Sequence, residues 1–140
     1  MDKMNLHLID RSNYLKGLFI TAKLDRQLTQ PEKDILKNFS DKLGFAQDFY
    51  EETVNSLLSN KYLLEEPIIF SDPKIAKSFV IDAIKLACCN DLITVDEIDW
   101  LKKTASLNGI ESIFIDKEIS NYKNAEKLNS LGNFALFSII

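Results

Sequence analysis

Five acidic side chains, Asp25, Glu32, Asp91, Asp96 and Glu97, are the residues whose type and spacing point most directly to chemistry. They fall in two sets, with Glu32 and Glu97 sixty-five positions apart. A hard cation such as Ca²⁺ or Mg²⁺ needs several oxygens converging at short range. Two acidic loops brought together would pool such oxygens, with Asp25, Glu32, Asp91 and Glu97 as ligands or as the groups supporting them. A purely structural role competes with this one. Glu32 follows Thr29, and Glu97 follows Thr94, at the spacing of a helix capping box. Asp25 and Asn90 suit turns, where a short polar side chain takes up nearby N–H groups. The loops are not EF-hands, because they are too short and lack alternating Asp/Asn ligands around a central glycine.

Other reactive side chains are sparse. Cys88 and Cys89 are vicinal, an arrangement that chelates soft metalloid species. Adjacent cysteines pair poorly with each other, and on a helix at least one turns inward as a small hydrophobe. His7 is the only histidine, so a zinc-type site has too few nitrogen ligands. Trp100 falls at a core position and is expected to pack. Asp34 and Asp99 each precede a lysine by three residues, Lys37 and Lys102, as surface pairs on a helix do. No nucleophile elbow, phosphate loop or glycine-rich dinucleotide turn occurs. Nor is there a recognisable nucleophile–base pair. The residues therefore point to a binding or sensing module without catalytic residues or an organic cofactor.

The elements that position these residues repeat. Ala22, Asp25, Leu28, Thr29, Glu32, Leu36, Leu43 and Gly44 recur without a gap as Ala87, Asn90, Ile93, Thr94, Glu97, Leu101, Asn108 and Gly109. Apolar residues at helical spacing predict a first helix from near Ser12 to Leu24 or Asp25, carrying Leu15, Leu18, Phe19 and Ala22. The second starts at the Thr29 cap, with Pro31 in its first turn, and stops at Gly44. The third runs from Ala46 or Gln47 to about Leu58. A fourth begins at Asp72-Pro73, a fifth at the Thr94 cap ending at Gly109, and a sixth covers about Glu111–Tyr122. The expected fold is one all-α domain over 1–140, with six to seven helices in two pseudo-symmetric three-helix halves, 12–58 and 72–122. The apolar faces of the first and fourth helices should form the centre. Asn124–Leu131 suits a short helix, and an apolar tail over 132–140 follows. That tail either packs on the body or, through Phe134–Ile140, docks on a partner or a second copy.

Composition narrows the partners. The net charge of −4, without a basic stripe carrying interleaved aromatics, disfavours nucleic acid. It disfavours basic adhesion to a membrane surface equally. Met1–Arg11 lacks a signal-peptide apolar core, and no run approaches the ~20 apolar residues of a spanning helix. Cytoplasmic location is the expectation, and two adjacent cysteines accord with a reducing compartment.

The pattern Ala-x-x-Asp-x-x-[Leu/Ile]-Thr-x-x-Glu, followed by Leu and by Leu-Gly-apolar, resembles the TerB-like family, named for the tellurite-resistance protein TerB. The first copy carries it through Ala22, Asp25, Leu28, Thr29, Glu32, Leu36, Leu43 and Gly44, the second through Ala87, Asn90, Ile93, Thr94, Glu97, Leu101 and Gly109. The similarity spans roughly residues 12–122. It implies two three-helix halves, divalent-metal binding at the acidic loops, and work beside membrane-associated stress complexes or DnaJ-type chaperone domains. No His-Pro-Asp tripeptide occurs, so there is no J domain. Where the family commonly has Asp-Gly, this chain has Asp25-Arg26 and Asn90-Asp91. The expected function is a non-enzymatic accessory or sensing module that binds a protein partner, with Ca²⁺ or Mg²⁺ at Asp25, Glu32, Asp91 and Glu97. The alternative is a metal-free interaction or homodimerisation domain acting through the apolar tail.

Overall fold

The computed structural model describes residues 5–24, 29–59, 66–88, 93–124 and 134–139. Among these residues seven helices appear in order: α1 (Leu8–Leu24), α2 (Gln30–Lys42), α3 (Gln47–Ser59), α4 (Pro73–Cys88), α5 (Val95–Leu107), α6 (Ser112–Asn124) and α7 (Leu136–Ile139). Among the described residues there is no strand, so the fold is all-α. No described helix is long and apolar enough to cross a membrane.

Local chemistry sets most of the helix ends. Thr29 and Thr94 hold extended backbone, with φ −74° and ψ 163° in the first and φ −82° and ψ 161° in the second. Each hydroxyl accepts the N–H three residues on, and each following glutamate reaches back to the threonine N–H. Four orphan N–H groups open every helix, and a capping box satisfies two of them. After α2 and α5 the chain turns through Gly44 at φ +87° and Gly109 at φ +75°, conformations that cost a residue with a Cβ.

α1 starts earlier than the sequence suggests, at Leu8 rather than near Ser12. The Arg11 N–H already donates to the His7 carbonyl at 3.0 Å. Asp10 in the first turn is buried, tied to a residue far along the chain. The short helix expected over Asn124–Leu131 falls almost wholly outside the described residues.

α1 and α4 pack along each other at the centre. α4 buries eleven of its sixteen residues and α1 nine of seventeen, so α4 is the more enclosed. A Cβ on Gly17 of α1 would overlap the Phe79 ring of α4, and the missing side chain is what permits the approach. Phe79 meets Tyr14 edge-on at 5.4 Å between centroids and Trp100 at 6.0 Å. Aromatic pairs of this kind add roughly 0.5–1.5 kcal/mol beyond the area they bury.

The C-terminal segment joins this core. Phe134 and Leu136 are buried, and the Phe134 ring meets Phe39 of α2 edge-on at 5.0 Å. α7 packs against α4. The tail thus follows the packing expectation at these two side chains.

Candidate functional site

Glu32 and Glu97 are buried caps. Glu32 Oε1 accepts from the Thr29 N–H at 3.2 Å and from the Thr29 hydroxyl at 3.0 Å. Glu97 Oε1 accepts from the Thr94 N–H at 2.9 Å, and the Glu97 N–H returns to Thr94 Oγ1 at 3.1 Å. Asp25 and Asp91, the other expected ligands, lie outside the described residues. Asp96 is exposed in the first turn of α5. Among the described residues no group of three His, Cys, Asp or Glu side chains could hold a metal ion. Cys88 is half-buried at the end of α4, Cys89 is not among the described residues, and His7 is exposed just before α1. Lys102 pairs at 3.0 Å with Asp116 and so bridges α5 to α6.

Two other carboxylates carry more of the structure, and both were missed in the sequence. Asp82 of α4 is fully buried. Its Oδ2 accepts the Tyr14 hydroxyl at 2.5 Å and the Leu136 N–H at 2.9 Å, and its Oδ1 accepts the Ala135 N–H at 2.5 Å. The Tyr14 proton goes to Asp82, so the Ser78 hydroxyl at 2.8 Å donates to the phenol. Burial pushes the Asp82 carboxyl up to about 6, opposed by the Tyr14 hydroxyl, the two tail N–H groups and the nearby Lys85 cation. Burial, then the Asp82 charge, pushes the Tyr14 phenol well above its ordinary value. The cluster is sealed from solvent and ties α1, α4 and the tail together.

Asp10 is the second. It accepts the Ser71 N–H at 3.0 Å and the Ser71 hydroxyl, which anchors the 66–72 connection to the start of α1. One residue earlier, Phe70 N–H donates to Asn108 Oδ1 at 2.8 Å. Asn108 Nδ2 in turn donates to the Ile68 and Thr104 carbonyls, both at 2.7 Å. The start of α1, the connection and the end of α5 are thereby locked together.

Apolar side chains stand on the outside of this locked junction. Leu8 and Ile9 flank the buried Asp10, Ile69 sits between the two residues bonded to Asn108, and Leu107 precedes Asn108. All four are between 53 and 65 % exposed. Their neighbours Ile68 and Phe70 point into the core instead. Beside the junction lies a groove of about 410 Å³ between the first turns of α4 and α6. Ile110, Ile113 and Phe114 line it, with Lys77, Lys117 and the carboxylate of Glu111 at its sides. A second groove of about 440 Å³, between α2 and α3, is lined mainly by polar side chains such as Lys33, Asp34, Lys37 and Glu51.

The sequence held a signal for the buried carboxylates. Asp82 interrupts the apolar face formed by Ile75, Phe79, Ala83 and Leu86, where a solvated charge has no place. Asp10 likewise follows two apolar residues at a helix start.

No protein-family model, no curated protein and no solved structure matches this chain.

Proposed function

We propose that the chain is a non-enzymatic, TerB-like accessory module that binds a protein partner through the junction formed by α1, the 66–72 connection and α5. The single observation that carries this reading is the set of exposed apolar side chains, Leu8, Ile9, Ile69 and Leu107, on backbone fixed by the buried Asp10 and by Asn108. Apolar groups concentrated at one place on a surface mark interaction sites. Backbone already locked in place loses little entropy on binding.

The TerB-like part of the proposal adds two related halves, α1–α3 and α4–α6. Supporting it are the two capping boxes, the glycine turns sixty-five residues apart and the equal thirteen-residue lengths of α2 and α5. Divalent-cation binding is no part of this proposal. Glu32 and Glu97 already close their capping boxes, and Asp25 and Asp91 lie outside the described residues.

A photo-crosslinking side chain placed at Ile69 or Leu107 in the cell tests the reading. Adducts should form there and not at Val95, which is equally apolar and 72 % exposed. Val95 opens α5 and Leu107 closes it, so the two lie about 18 Å apart along the helix. Equal labelling from Val95, or none from either junction site, removes the proposal.

A further inference from the structure

The sixty-five-residue repeat supplies an internal comparison for the α4–α6 groove. Sequence register places Ser12 opposite Lys77, Asp48 opposite Ile113, Phe49 opposite Phe114 and Glu52 opposite Lys117. The two copies of this place have diverged in opposite senses. In the first, Phe45 stacks on Phe49 at 5.0 Å between centroids, and the Arg11 guanidinium donates to the Leu43 carbonyl at 3.3 Å. There the surface presents Phe49, 46 % exposed, beside the exposed carboxylates Asp48 and Glu52 one helical turn apart. In the second, the groove is open, and its cations come from two helices: Lys77 of α4, 5.0 Å above the Phe114 ring, and Lys117 of α6.

One surface is therefore an aromatic knob flanked by two carboxylates, and the other an apolar groove whose two ammonium groups outnumber its single carboxylate, Glu111. Both sit at the same end of the bundle. Arg11 ties the first turn of α1 to the α2–α3 turn, and Asp10 ties it to the segment leading into α4. With knob and groove at one end, a two-fold axis satisfies both contacts at once, each copy giving its knob and receiving its partner's.

We propose that the occupant of the α4–α6 groove is a second copy of this chain, seated through the Asp48–Phe49–Glu52 face of α3 in a two-fold dimer. This deepens the partner-binding reading and rests on it, since the dimer would cover the junction lying between the two surfaces. Attraction between complementary rims guides such docking and weakens as salt rises.

Charge exchange on the full chain tests it by sedimentation. Wild type should form a dimer that weakens with added NaCl. Lys77→Glu with Lys117→Glu, and separately Asp48→Lys with Glu52→Lys, should each weaken association by at least about tenfold. Mixing the two variants should restore the dimer, because each opposed pair again carries opposite charge. All four positions are exposed, and a thermal melt of each variant checks that the helices stay folded. A chain that stays monomeric at millimolar concentration overturns the dimer, as does association indifferent to both charge sets. Growth into open polymers overturns the two-fold arrangement. An Ile69 crosslink to a different protein, with no dimer, leaves the partner-binding reading standing and removes this one. Absence of both removes the two together.

Discussion

The Tyr14 hydroxyl donates to Asp82 Oδ2 at 2.5 Å, joining α1 to α4 inside the buried core. Asp82 has a folded value of about 6, above the 3.8 of an ordinary aspartate. Between those values the native chain holds a proton that the unfolded chain has released. This group's contribution to stability is therefore complete below about pH 4, declines as pH rises toward about 6, and is level above that. A gap of this size corresponds to on the order of 3 kcal/mol. Asp82→Asn removes the titration, so wild type should gain stability relative to the variant when the pH falls from 7 to 4.5. Urea unfolding at the two pH values measures this, and parallel behaviour of the two proteins would falsify the assignment.

Tyr14→Phe should act on the same group from the other side. The phenol's donation holds the Asp82 value down, so its loss lets that value rise further. The declining limb of the stability profile then extends above pH 6. The variant also loses a hydrogen bond to a charged group, about 1.5–3 kcal/mol at neutral pH. Carboxyl chemical shifts of Asp82 across a pH series in both proteins read the movement directly. An unchanged titration midpoint would show that the phenol does not govern this carboxylate.

What was legible in the sequence is what depends on neighbours in the chain. Thr29 with Glu32, and Thr94 with Glu97, interact across three residues, so both helix starts could be read from the letters alone. Apolar periodicity placed α1 and α4 at the centre because their faces repeat at helical spacing. The buried carboxylates depend on distant partners. Asp10 meets Ser71 sixty-one residues away, and Asp82 meets Tyr14 at a separation of sixty-eight. No local pattern encodes such pairings. Two of the groups that satisfy Asp82 are backbone N–H groups of the tail, which every residue but proline carries. The junction surface was hidden for the same reason, because its rigidity comes from Asn108 reaching the connection forty residues back.

The tail gives a prediction about stability rather than binding. Phe134 is buried edge-on against Phe39, and Ala135 and Leu136 supply N–H groups to Asp82. Phe134→Ala should destabilise the chain by about 3–5 kcal/mol through lost burial and the cavity left behind. Ending the chain at Gly132 should go further, stripping a buried carboxylate of two donors as well. Thermal unfolding followed by circular dichroism decides between the two roles of this segment. A truncated chain with an unchanged melting temperature would return the tail to the surface as a docking element.

The two capping glutamates separate a structural role from a ligand role. Glu32 and Glu97 each close a box with the preceding threonine, and both are buried at the starts of thirteen-residue helices. Losing a cap side chain costs about 1 kcal/mol, because an orphan N–H is left without its acceptor. Thr29→Ala and Thr94→Ala should therefore lower stability by about that much, and Glu32→Ala and Glu97→Ala by at least a comparable amount. These losses should appear in full in EDTA and stay the same in millimolar Ca²⁺ or Mg²⁺. A cation ligand behaves differently: its removal matters only when the cation is present, since binding stabilises the native state by mass action. Chemical denaturation of the four variants with and without cation distinguishes the cases. Glutamate losses confined to the Ca²⁺ or Mg²⁺ arm would make these residues ligands, while losses equal in both arms make them caps.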